Sequence, residues 1–177
     1  GALSSNGVDH GDIAKADSAS RARALAHAHV RESVALYKEI RRVHKTTVLP
    51  RSILCGNHLG QMIHQQVRAC ATRFNAYTNH NGKCTHHQCR DKTETNEHVI
   101  AHCPRYADAR AAFNNRTGLT LCGATYTSIM ALDHKKLQVQ VVVLAKALCK
   151  FLAYVAQEHT RKNKAERIAS VSLDHSG

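Results

Sequence analysis

The sequence predicts a mainly α-helical chain in which helices flank a small, loop-rich segment and a long amphipathic helix forms the C-terminal part. Three observations carry this expectation. Apolar residues recur at helical spacing before residue 75 and again after residue 133. The stretch between holds closely spaced cysteines and histidines among turn residues. Proline and glycine fall at the edges of the periodic stretches. At 177 residues the chain is long enough for one domain with a real core. Accordingly, 1–17 read as a flexible N-terminal segment and 18–160 as a single helical domain with a knuckle at 79–106. Residues 161–177 read as a basic C-terminal tail carrying Arg161, Lys162, Lys164 and Arg167.

The first helix is expected from 18 to about 45, with Asp17, Ser18 or Ser20 available as its cap. Leu36, Ile40 and Val43 share one face, and Arg31, Lys38, Arg42 and Lys45 the other. Pro50 breaks the pattern, and a second helix is expected from about 51 to 75. Leu59, Met62 or Ile63, and Val67 point inward there, although Gly56 and Gly60 weaken the prediction. Asn79, Asn81 and Gly82 read as turn residues entering the knuckle. Pro104 suits the first turn of a short helix ending near Gly118. Leu137, Val141, Leu144, Leu148, Phe151 and Val155 repeat at steps of four and three, which predicts one helix from about 133 to 164. The valine-rich run 139–143 leaves a buried strand open as the alternative.

Lys and Arg number 25 against 13 Asp and Glu, a formal charge of +12 with the 14 histidines neutral. From Arg41 through Arg90 there is no acidic residue at all. That window suits a phosphate backbone, against the plainer alternative of a solvated basic surface. The candidate nucleic-acid contacts are Arg31, Lys38, Arg41, Arg42, Lys45, Arg51, Arg68, Arg73, Lys83, Arg90 and Arg105. Phe74, Tyr77 and Tyr106 are the stacking candidates near the knuckle, each equally able to pack internally. No run of 18 apolar residues exists and Trp is absent, so no membrane partner is expected. Residues 1–20 lack the apolar run of a secretory signal, and Asp9, Asp12 and Asp17 argue against a transit peptide. The chain opens on Gly1, which points to an excised or processed piece.

Seven cysteines is an odd count, and with no secretory feature a disulfide framework explains it poorly. Cys55, Cys70, Cys122 and Cys149 stand alone and read as inert buried thiols. Cys84, Cys89, His98 and Cys103 instead form the pattern C-x4-C-x8-H-x4-C, two close pairs joined by a short loop. Three thiolates and one imidazole favour zinc over magnesium or calcium, and four protein ligands leave no position for an activated water. The expected site is a structural CCHC zinc knuckle whose metal binding supplies folding energy to a segment poor in apolar residues. His86, at H-x2-C spacing to Cys89, is the alternative first ligand, while His87 and His102 read as surface groups.

The run from Cys89 to Tyr106, with Glu94-Thr95, Glu97-His98, an apolar pair and Cys103-Pro104, resembles the Cys/His finger that follows the reverse transcriptase of non-LTR retrotransposons. The preceding stretch Asn57 to Val67 is similar to the helix that leads into that finger, so the resemblance covers roughly 55–115. It implies ligands at Cys84, Cys89, His98 and Cys103, and a role in gripping the element's RNA or target DNA while reverse transcription is primed from a nick. Many relatives space their first two cysteines more closely. The Pro-Asp pair and clustered acids of the restriction-like nuclease in the site-specific branch are missing, Pro50 and Pro104 being the only prolines. The sequence therefore leads to a non-catalytic, zinc-stapled module for RNA or single-stranded DNA, with RNA preferred. Its further partners would be the rest of a retroelement polyprotein or ribonucleoprotein subunits, and its compartment the nucleus. The alternative is a retroelement-derived finger reused as a structural RNA-binding subunit of a ribonucleoprotein such as an organellar ribosome, which would place it in the mitochondrion. An enzyme built on His80, His86 or His87 is the third possibility.

Overall fold

A computed structural model describes residues 20, 27, 30–44, 56–74 and 82–174. The expectations for 1–17, for Lys45, Arg51, Cys55 and Tyr77, and for His80 lie outside these residues. Six α-helices are described: α1 over 30–44, α2 His58–Arg68, α3 Ala107–Thr117, α4 Gly123–Met130, α5 His134–Leu137 and α6 Val141–Asp174. Among the described residues there is no strand, only an isolated antiparallel bridge between Lys83 and Thr93. Among the described residues no helix is long and apolar enough to cross a membrane.

Helix α6 is the axis of the molecule, with α2 and α3 packed against it. Its stripe of Leu144, Leu148, Phe151, Leu152 and Val155 is buried as the periodicity predicts. Each such large apolar side chain contributes about 1.5–3 kcal/mol when fully removed from water. On α1, Leu36 and Ile40 are buried while Arg31, Lys38, Arg41 and Arg42 are exposed, so the two-faced helix is observed. Helix α2 buries Ile63 and Val67 and leaves Met62 exposed. It begins later than expected because Asn57 caps it, its Oδ1 accepting from Gly60 N at 2.6 Å. It ends sooner because Cys70 takes a left-handed conformation at φ 49°.

At Gly60 the backbones of α2 and α6 come into close contact. A Cβ there would lie 2.0 Å from the Cys149 carbonyl oxygen. Helix α3 ends at Gly118, which adopts φ 70° and donates its N–H to Asn114 O, a left-handed cap at the position where glycine is expected. Two features depart from expectation. The predicted helix from 133 to 164 is broken: α5 ends at Gln138, which sits at φ 52°, and α6 starts at Val141 and continues to Asp174, into the segment read as a tail. The valines at 141–143 are helical, so the strand alternative is not adopted. Helix α4 was not foreseen. Its sequence, rich in Thr, Tyr and Ile, has modest helix propensity, and burial of Tyr126, Ile129 and Met130 stabilises it instead. Cys122, read as an inert buried thiol, is half-exposed and caps α4. Thr125 Oγ1 accepts from Cys122 N at 3.1 Å, and hydrogen bonds from Thr125 hold the thiol below its ordinary value.

Candidate metal centre

The first ligand pair grows out of a short loop closed by the Lys83–Thr93 bridge. Gly82, at φ 71°, opens it, and Cys84 N donates to Lys92 O at 2.9 Å while Glu94 N donates to Gly82 O at 2.9 Å. Between these arms His87–Cys89 form a 3-10 turn in which Cys89 N donates to His86 O at 3.0 Å. The second pair sits on a different device. Thr95 Oγ1 accepts from His98 N at 3.1 Å and starts a turn that widens into a π-helical segment, His98–His102. In an α-helix, residues five apart point about 140° away from each other. The wider turn, closed by Cys103 N donating to His98 O at 2.7 Å, brings His98 and Cys103 to the same site.

The four ligand atoms of Cys84, Cys89, His98 and Cys103 all lie within 4.8 Å of one another, so the group can hold a metal ion. The sulfurs are 3.3 Å apart for Cys84 and Cys89, 3.7 Å for Cys84 and Cys103, and 3.8 Å for Cys89 and Cys103. A tetrahedron of ligands about 2.3 Å from a central ion has edges of about 3.8 Å, whereas a disulfide needs about 2.05 Å. All three cysteines are free. His98 is half-exposed as a residue, but its Nε2 is buried without a hydrogen bond of ordinary geometry, and its ring acts on the Cys84 thiol. A buried imidazole nitrogen beside three converging thiols is the donor set of a metal site. His86 is not in the group. Its Nδ1 accepts from Gln88 N and its ring lies against that of His87, centroids 4.4 Å apart, and it is Cys84 that joins Cys89, His98 and Cys103.

Without a cation the three thiols cannot all ionise. A hydrogen bond from Cys103 holds the Cys84 thiol down to about 3. Burial, and then the hydrogen bond that Cys89 donates to Cys84 and the charge on Cys84, push Cys89 up to about 11. Cys103, donor to Cys84 and itself buried, is raised further still. A dication bound among the three sulfurs would favour the thiolate form of each. Two arginines stand close enough to feel this charge. Arg105 acts on Cys89 and donates from Nη2 to Thr85 Oγ1 at 2.7 Å. Arg110 acts on Cys103, and its Nη1 is buried without a hydrogen-bond partner.

The linker between the ligand pairs anchors the knuckle to the helices. Glu94 Oε1 meets His159 Nε2 of α6 at 2.8 Å, both buried. Asn96 Oδ1 accepts from Thr72 Oγ1 at 2.6 Å, and Glu97 N donates to Glu32 of α1 at 3.0 Å. Glu32 also accepts from Tyr126 OH of α4 at 2.8 Å. The Glu-Thr-Asn-Glu-His run is thus read by α1, by α6 and by the chain following α2. These partners are distant in sequence, and no spacing rule could have named them.

The cations divide into three groups. Arg31, Lys38, Arg41, Arg73 and Arg90 are exposed, and Arg68 is half-buried with its guanidinium pKa lowered by burial. Three others are engaged within the protein. Arg42 pairs with Glu39 at 2.9 Å and with Asp133, Lys83 lies 3.7 Å from Asp91, and Arg105 is tied to Thr85. Lys45 and Arg51 are outside the described residues. Phe74 and Tyr106 are buried, Phe74 packing 4.9 Å from the His159 ring, so neither offers a face to a base. Comparison of the chain with protein families, with curated proteins and with solved structures finds no match.

Proposed function

We propose that this chain is a non-catalytic, zinc-stapled module that binds RNA or single-stranded DNA through its backbone. The observation that carries the proposal is the convergence of three sulfurs at near-tetrahedral spacing with a buried imidazole nitrogen. Such a donor set selects zinc among the common divalent ions, and four protein ligands leave no coordination position for a reacting water. Zinc bound there would neutralise two of the three thiolates and fix the knuckle on α1 and α6. The excess of 12 positive charges, with Arg31, Lys38 and Arg41 exposed along α1, supports an anionic partner. The motif resemblance to retrotransposon fingers agrees with this, and RNA is the preferred strand.

The test combines metal content with salt dependence. Purified protein should carry one zinc per chain by elemental analysis. Its affinity for a labelled single-stranded RNA should fall steeply with salt, by a slope of roughly 0.7 for each phosphate neutralised. Replacing Arg31, Lys38 and Arg41 together by Gln should lower affinity and flatten that slope while zinc content stays the same. Protein without zinc, or binding indifferent to salt, would overturn the proposal.

A further inference from the structure

The cleft between α3 and α6 lies apart from the metal centre and from every residue singled out by charge patterning. It has a volume of about 650 Å³, within the roughly 300–1,000 Å³ of small-molecule sites. Phe113 and Phe151 line it, two nearly buried rings with centroids 5.9 Å apart. Ala109, Ala112 and Ala147 keep its walls low. Tyr154 stands at its edge with 49 % of its surface exposed; among the described residues only Tyr37 is a comparably exposed aromatic. An apolar cleft with an open ring at the side suits a planar, aromatic occupant.

The charges say which kind. Arg116 and Lys150 line the same cleft, both exposed, and neither has an ion-pair partner among the described residues. Arg42, Lys83 and Arg161 are by contrast each held by a carboxylate. Two uncommitted cations beside an aromatic wall call for a flat group that carries a negative charge next to it. A nucleobase with its phosphate is such a group, and stacking on an aromatic ring tolerates any base. The cleft is also polarised. Arg116 is in the last turn of α3 and Asp108 in the first, about 12 Å apart at the rise of a helix. The phosphate belongs at the Arg116 end, where the Asn115 amide adds a hydrogen-bonding group. Asp108 would repel phosphate at the other end and can accept from an exocyclic amino group.

We infer that this cleft seats one unpaired base of the bound strand, stacked on Tyr154, with Arg116 and Lys150 holding the adjoining phosphate. The inference rests on the nucleic-acid function proposed above. The chain has no tryptophan, so Tyr154→Trp introduces a single fluorescent reporter at the proposed contact. The experiment titrates the zinc-loaded Tyr154→Trp protein with single-stranded RNA of about a dozen nucleotides, following tryptophan emission and the anisotropy of the labelled strand together. Emission should be quenched in step with binding, and an abasic strand of equal length should bind without quenching. In the otherwise unaltered chain, Tyr154→Ala should weaken binding roughly ten-fold and Tyr154→Phe by less than about two-fold, with zinc content unchanged in both. Strand binding with unquenched tryptophan and full affinity in Tyr154→Ala would overturn the inference and leave the proposed function standing. Absence of strand binding altogether would remove both.

Discussion

His64 lies fully inside the protein, with Nε2 at 2.7 Å from the Met130 carbonyl and Nδ1 without a partner. Burial disfavours the charged ring and lowers its pKa from 6.5 to about 4, partly offset by the hydrogen bond to Met130. The unfolded chain takes up a proton near 6.5, whereas the folded chain resists it until about 4. The stability owed to the neutral ring is therefore complete above pH 6.5 and is lost as pH falls toward 4. A shift of this size corresponds to about 3 kcal/mol. Urea unfolding should find His64→Gln less stable than the unaltered protein at pH 7.5, with the gap narrowing at pH 4.5. Loss of metal at low pH acts on both proteins alike, so the difference isolates the ring; a gap that does not change with pH would contradict the assignment. The same scale explains why Arg42 is a weaker candidate for phosphate contact than its exposure suggests. Its guanidinium is already committed to Glu39 and Asp133, and the first of these contacts holds the Glu39 carboxyl down to about 2.

Among the elements, the pairing of α2 with α6 depends on a residue that looks like a defect. Glycine inside a helix costs about 1 kcal/mol relative to alanine, so Gly60→Ala would stabilise an isolated α2. In the protein the added methyl would meet the Cys149 backbone, with its carbonyl oxygen 2.0 Å and its Cα 2.6 Å away. Backbone cannot turn aside as a side chain can, and the helices must separate. We expect Gly60→Ala to lose about 2–3 kcal/mol despite its better propensity, measured as a lowered urea midpoint. An unchanged or raised midpoint would show that the crossing is looser than this geometry. The break between α5 and α6 teaches a related lesson. The four- and three-residue steps run through it, and Leu137 and Val139 do pack against the core, but Gln138 turns the chain between them. Periodicity records which side chains are inward and not whether the backbone between them is continuous.

At the scale of the whole molecule the knuckle is part of the core and not an appendage. Val99, Ile100, Cys103 and Tyr106 belong to the same buried cluster as Leu148 and Leu152 of α6. Glu94, Asn96 and Glu97 add polar ties to the body. Metal removal should therefore loosen the helices together with the loop, because a structural ion's binding energy is folding energy. Chelation is expected to reduce the helical circular dichroism by more than the 82–106 segment could supply, and to lower the thermal midpoint in one cooperative transition. Full retention of helical signal after complete zinc loss would show that the helical body stands alone.

What the sequence settled by itself is local and periodic. The inward faces of α1, α2 and α6, the cap at Gly118 and the converging Cys89, His98 and Cys103 follow from spacing, because helical repeat and metal geometry act over a few residues. Spacing left the first position open between Cys84 and His86, and the folded chain brings Cys84 into the group. Only the tertiary structure decided the rest: the use of Gly60 as a crossing point, the existence of α4, the π-helical turn that brings an H-x4-C pair to one place, and the carboxylates that meet Arg42 and Lys83. The Gly60 crossing, α4 and the Arg42–Asp133 contact depend on groups brought together from distant parts of the chain, where burial and close approach outweigh local propensity. The π-helical turn and the Glu39 and Asp91 contacts are local in sequence, but the backbone and rotamers that make them are chosen only in the folded chain.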